Sequence, residues 1–131
     1  MSGADPDGGG REVLSVSALT ERLRLRIEGG FPDVAVQGEI SRWTAAGSGH
    51  AYFTLKDAGA SIDAVIWRAR LARLRFAPET GMEVVAAGGV GVYPPRGRYQ
   101  LLADRIEPVG RGALEVAFRQ LDARLAQLLI R

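Results

Sequence analysis

Between Gly49 and Asp57 the chain alternates without an exception. Ala51, Phe53 and Leu55 are apolar, while His50, Tyr52, Thr54 and Lys56 are polar or amphipathic. A period of two is that of a strand with one dry face and one wet face. Glycines 47 and 49 open the stretch, and Asp57-Ala58-Gly59 closes it with turn chemistry. A half-buried strand cannot stand alone, so the chain must supply partners that cover its dry face. The wet face carries an imidazole, a phenol, a hydroxyl and an ammonium in a row, groups that can stack on a ring and neutralise a phosphate.

The partners are readable in order. Val34, Val36, Gly38 and Ile40 alternate with Ala35, Gln37, Glu39 and Ser41, giving a first strand in which Gly38 predicts a bulge or sharp bend. A loop from Arg42 to Gly49 leads to the second strand, His50 to Lys56. In the third, Ile62, Ala64 and Ile66 are expected to face inward and Asp63, Val65 and Trp67 outward. Residues 68–75 change period, with Leu71 and Leu74 suiting a short helix. After a turn at Pro78-Glu79-Thr80-Gly81, residues 82–93 form a long fourth strand whose Gly88, Gly89 and Gly91 permit strong coiling. Pro94-Pro95-Arg96-Gly97 makes a hairpin loop, and residues 98–106 form the fifth strand.

The order β-β-β-α-β-β, mainly β, is that of the OB-fold, a five-stranded Greek-key barrel. Helices flank it. An N-terminal helix is expected with Ser17 as its cap, Leu19, Leu23 and Ile27 on its packed face, Arg22, Arg24 and Arg26 on a solvated one, and Gly29-Gly30 at its end. A C-terminal helix carries Leu114, Phe118, Leu121, Leu125 and Leu128 at spacings of four and three, an a/d seam that needs a partner. The expected organisation is a disordered, glycine-rich leader over 1–12, the barrel domain over 13–111, and a helix over 112–131 leading towards a catalytic region the chain lacks.

Composition narrows the chemistry. With no cysteine and one histidine, neither a disulfide framework nor a zinc thiolate site is expected, and no metal or cofactor. No apolar run has membrane-spanning length and no signal-peptide pattern opens the chain, so a soluble cytoplasmic protein is expected, without a membrane partner or a small-molecule substrate. The net charge is only +2, but residues 42–75 carry six basic side chains against two acidic ones, which suits a polyanion. Nothing orders serine, histidine and carboxylate as a triad, so no catalytic residue is expected in this chain.

Several blocks together resemble a known family. Ser48-Gly49-His50-Ala51-Tyr52-Phe53-Thr54-Leu55-Lys56-Asp57 is similar to a signature of the large subunit of bacterial exonuclease VII. Gly38-Glu39-Ile40-Ser41, Ala64-Val65-Ile66-Trp67-Arg68, Gly81-Met82-Glu83-Val84 and Tyr93-Pro94-Pro95-Arg96-Gly97-Arg98-Tyr99-Gln100 resemble further family blocks in the same order. The resemblance implies an N-terminal OB domain binding single-stranded DNA. It also implies a longer catalytic region after it, a small helical subunit as partner, and hydrolysis of single-stranded DNA from either end into oligonucleotides. The chain departs from the family at Ala51, where tryptophan is common, at Ala87 and Gly89, where basic residues are usual, and at Arg98, in place of a frequent aspartate.

Single-strand binding needs rings for base stacking and cations along the backbone path. OB-folds put these on the second and third strands and on the loops joining strands one to two and four to five. Those places hold Arg42, Trp43, His50, Tyr52, Lys56, Trp67, Arg68, Tyr93, Arg96, Arg98 and Tyr99. Tyr52 and Trp67 sit on the non-core parity, Trp43 on a glycine-containing loop, and Arg96 in an exposed turn, so stacking and phosphate contact are the expected roles. His50 either contacts nucleic acid or caps its strand; Tyr93 and Tyr99 either do the same or pack across their hairpin. Two other functions fit this sequence: a protein-interaction module assembling through the C-terminal helix, and an RNA-binding OB domain.

Overall fold

The computed structural model describes residues 9–130. Most of the leader, residues 1–8, lies outside them; Gly9 to Arg11 form a turn and a bend before the first helix. The elements follow as α1 (Val16–Gly30), β1 (Val34–Ala45), β2 (Ala51–Lys56), β3 (Ser61–Ile66), α2 (Arg68–Leu71), β4 (Glu83–Tyr93), a 3-10 turn (Pro94–Arg96), β5 (Arg98–Pro108) and α3 (Arg111–Ile130). The strands close into a barrel in the order β1-β2-β3-β5-β4. All neighbours are antiparallel except β3 and β5, which run parallel. This is the five-stranded barrel the alternation predicts.

The dry face of β2 is the centre of the core. Ala51, Phe53 and Leu55 are buried beside Ile40, Ala64, Ile66, Val84, Leu101 and Ile106. Full burial of a side chain the size of Leu55 or Phe53 contributes about 1.5–3 kcal/mol each. Leu71 and Leu74 pack against one end of this core, as their spacing predicts, although α2 itself is a single turn of four residues rather than a helix reaching Arg75. Ala113, Val116 and Ala117 of α3 cover it from another side.

Two irregularities shape the barrel. On β1 the register slips between Ile40 and Arg42, leaving Ser41 as the extra residue, while Gly38 stays in register opposite Val84. The expected bulge therefore exists but falls three residues later. Between β4 and β5 the register slips at Ala87/Gly88. There the strands come so close that a Cβ on Gly88 would lie 2.0 Å from the Leu102 carbonyl oxygen, which is why the position has no side chain.

Four expectations need correction. Ser15, not Ser17, caps α1: its hydroxyl accepts from the Ala18 N–H at 3.0 Å. The Leu19/Leu23 stripe is half exposed, because α1 lies along β4 and is anchored by polar groups. Glu28 accepts from the Val92 N–H at 3.1 Å and from Arg24 at 2.8 Å. Arg24 is thus no member of a solvated face, since it bridges Glu28 and Glu21, and it holds the Glu21 carboxyl below the usual carboxylate range. Finally, Val65 has the outward parity expected of it but is buried, because Tyr52 and Leu102 flank it on the neighbouring strands.

Gly88→Ala is expected to destabilise the domain by about 1–3 kcal/mol, the usual cost of forcing atoms into a filled space, read as a lower midpoint in denaturant. An unchanged midpoint would mean that β4 and β5 separate freely at this point.

Candidate nucleic-acid interface

The outer face of the barrel is set by strand register. One row across it is Thr44 on β1, Tyr52 on β2, Val65 on β3 and Leu102 on β5. The next row is Arg42, Thr54, Asp63 and Gln100. A shallow groove of about 350 Å³ runs between them, lined by Arg42, Tyr52, Thr54, Asp63 and Gln100 among others. A cation, a ring and an amide share its walls with one carboxylate, and Thr54 donates to that carboxylate at 3.4 Å. Thr44, Thr54, Asp63 and Gln100 were not among the sequence candidates. The outward parity of β2 pointed to Thr54, whereas Gln100 enters only through the parallel β3–β5 pairing, which leaves no local sequence signal.

The bulge at Ser41 decides what β1 contributes. Ile40 faces the core opposite Leu55; unbroken alternation would send Arg42 inward and Trp43 outward. The extra residue reverses this, so Arg42 faces out opposite Thr54 and Trp43 faces in opposite Phe53. Trp43 is therefore not on a loop. It lies in β1, half buried against the core, its ring 5.2 Å from that of Phe53 at an interplanar angle of 32°. The side chain expected to stack on a base is engaged in packing.

His50 joins two elements. Its Nδ1 accepts the Arg68 N–H at 2.8 Å, and its ring meets Trp67 edge-on with centroids 4.9 Å apart. Trp67 occupies the N-cap position of α2 but has no side-chain cap hydrogen bond; the imidazole takes that role from the start of the neighbouring strand. Gly49, at φ +93°, makes room for this arrangement, because a Cβ there would lie 2.5 Å from Arg68 Cδ. His50 thus caps, one of the two roles expected of it, though the capped element is α2 rather than the strand. The side chains it organises, Trp67 and Arg68, are exposed.

The remaining candidates divide between two places. Lys56 follows Thr54 outward on β2, and Arg98 precedes Gln100 outward on β5, both exposed and extending the groove to the same end of the barrel. Tyr93 is opposite Arg98, whereas Tyr99 is opposite Val92 on the inward parity. The two tyrosines thus do not pack on each other. Tyr99 instead lies over the barrel end beside Val36, Leu55 and Ile62, half exposed. Arg96 is exposed in the 3-10 turn. Among the described residues no group of three or more histidine, aspartate or glutamate side chains is placed to hold a metal ion, and no helix is long and apolar enough to cross a membrane.

The family model for the OB-fold nucleic acid binding domain matches residues 14–107. The chain belongs to that family. This OB domain is also similar to exodeoxyribonuclease 7 large subunits. It is 47% identical over 117 residues to that of Geotalea daltonii, covering 89% of this chain and 26% of the relative. Against that of Pseudomonas aeruginosa it is 47% identical over 116 residues, covering 88% and 25%. The chain therefore spans about a quarter of the length of these relatives. Two solved structures share the fold at low identity. One is a replication protein A heterotrimer bound to single-stranded DNA (TM-score 0.50, 15% identity, 76% of this chain and 74% of that one). The other is asparaginyl-tRNA synthetase from Pyrococcus horikoshii (TM-score 0.50, 12% identity, 68% and 22%).

His50→Ala should remove one hydrogen bond and cost about 0.5–1.5 kcal/mol of stability, while releasing Trp67. The near-ultraviolet circular dichroism of the tryptophans should change with the fold retained; an unaltered spectrum would show that Trp67 is held by something other than the imidazole.

Proposed function

We propose that this OB domain clamps single-stranded DNA as the substrate-gripping part of an exodeoxyribonuclease VII large subunit. The observation that carries the reading is the cross-strand groove, with Arg42, Tyr52 and Gln100 on its walls and Trp67 at the end of the neighbouring strand. Tyr52 and Trp67 offer ring faces to bases, a use that requires unstacked, single-stranded nucleotides. Arg42, Lys56, Arg68, Arg96 and Arg98 line the backbone path as phosphate partners. Tyr93 stands beside Arg98 and extends the same surface. His50 contributes by holding Trp67 and Arg68, and Tyr99 by closing the barrel end.

Hydrolysis of the strand into oligonucleotides belongs, in this reading, to the three quarters of the relatives' length that the chain does not span, as does the contact with the enzyme's small subunit. The chain itself supplies binding and orientation, in the cytoplasm, where the enzyme's DNA substrate is.

Tyr52→Ala and Trp67→Ala should each weaken binding of a single-stranded oligonucleotide by about 1–3 kcal/mol, the worth of one stacked base. Arg96→Ala should lower the slope of log affinity against log salt by about 0.7, one phosphate contact on a single strand. Titration of tryptophan fluorescence at two salt concentrations reads both. Equal affinity for single strand and duplex, or a preference for RNA of the same sequence, would overturn the DNA-clamp reading.

A second reading is favoured by α3. Leu114, Phe118, Leu121, Leu125 and Leu128 are all exposed, 47–68% of their surface free, so the seam has no partner within the barrel. Light scattering of the wild type against Phe118→Glu/Leu125→Glu decides between assembly and an open face. A dimer lost in the variant supports assembly through the seam, and a monomer in both removes it.

A further inference from the structure

A second groove is larger than the one on the outer face. About 670 Å³ in volume, it lies between α2, the segment after it, β5 and the start of α3. Arg70, Arg73, Arg75 and Arg105 line it, together with Asp104 and Glu107, four positive charges against two negative. Its floor is apolar, made by Leu74, Phe76 and Ile106. Arg70 reaches Asp104 and Arg105 reaches Glu107 only at 3.8 Å, with both members of each pair well exposed. Among the described residues Arg73 and Arg75 make no ion pair at all. A fifth guanidinium, that of Arg124 on α3, bonds the Arg75 carbonyl at 3.5 Å and adds positive charge nearby.

The position of this groove matters as much as its charge. In the parallel register Ile66 on β3 is paired with Ala103 on β5. One residue further along each strand are Trp67, an exposed ring at the end of the outer face, and Asp104, a wall of the arginine groove. Arg68 follows Trp67, and Arg70 is on the same turn of helix. We infer that the arginine groove is a second phosphate-binding site, which takes the backbone of the same single strand after it has crossed the outer face and passed Trp67. A rim of guanidinium groups over an apolar floor suits a nucleotide chain, since the phosphates meet charge while sugars and base edges meet Leu74 and Phe76. The strand thus turns round the end of β3 towards α3.

The inference rests on the proposed function, and oligonucleotide length separates the two. Wild type and Arg73→Ala/Arg75→Ala are titrated with oligothymidylates of about 6 and about 16 nucleotides, near the two ends of the site-size range of an OB-fold. The exposed side chains removed leave the fold intact, which circular dichroism verifies. The expected result is unchanged affinity for the short strand, with weaker binding of the long one and a salt slope lower by about 1.4 for two lost phosphate contacts. Equal affinity of variant and wild type for the long strand overturns the second site while leaving the clamp standing, and would assign these arginines to an acidic protein segment instead. Loss on both strands alike also overturns it, because the groove would then be part of the primary face. Absence of binding by the wild type at either length removes the clamp itself.

Discussion

Everything in this barrel depends on β1 being paired along both edges. Its first half is hydrogen-bonded to β4 and its second half to β2, with Glu39 belonging to both ladders. A strand shared in this way must bend where its partners change, and the backbone can bend only where the ladder tolerates an unmatched residue. Ser41 is that residue. One position thus sets both closure of the barrel and the direction of the side chains that follow it. Arg42 is delivered to solvent and Trp43 to the core by the same slip. What the outer face presents at Arg42 is a by-product of barrel closure, and could not be edited independently of it.

A similar coupling links His50 to the end of β3. The four-residue α2 is too short to stabilise itself: the Arg70 and Leu71 N–H groups donate to the Trp67 carbonyl, but the Arg68 N–H, in the first turn, has no helical acceptor. An imidazole just before β2 accepts the Arg68 N–H, so a ring in line with the wet face of the strand also serves the architecture. The exposed surface gains the two side chains that this bond orients. Polar residues near an interface can serve it indirectly, by fixing the geometry of neighbours.

Much of the fold was legible because it rests on alternation, which is local. Ala51, Phe53 and Leu55 announced the core strand, and the glycines and prolines marked its neighbours' ends. The failures have a common physical origin. Trp43 was misplaced because the first strand was expected to give way to a loop at Arg42, whereas the bulge at Ser41, which has no fixed sequence sign, lets β1 run on to Ala45 and turns Trp43 to the core. Gln100 escaped notice because the parallel β3–β5 pairing joins residues far apart in sequence. The Leu19/Leu23 stripe of α1 was expected to pack, yet the anchoring bond is between Glu28 and the Val92 N–H, a polar contact that hydrophobic spacing cannot reveal.

Helix α3 packs on the barrel through Ala113, Val116 and Ala117 and is pinned beyond them by one residue. The side-chain amide of Gln120 bonds both the N–H and the carbonyl of Ala77, at 2.8 and 2.9 Å, and reaches Glu79 as well. Beyond it, every residue from Leu121 to Leu129 is exposed. The far half, tied back among the described residues only by the long bond from Arg124 to the Arg75 carbonyl, is consequently a lever on a pivot, roughly 15 Å long at 1.5 Å per residue. A tilt of about 10° at Gln120 displaces its tip by about 2–3 Å over that length. An event that alters the segment carrying Ala77, which follows directly on Arg75 and Phe76, would be magnified into movement at the end of α3 without any strand of the barrel having to shift.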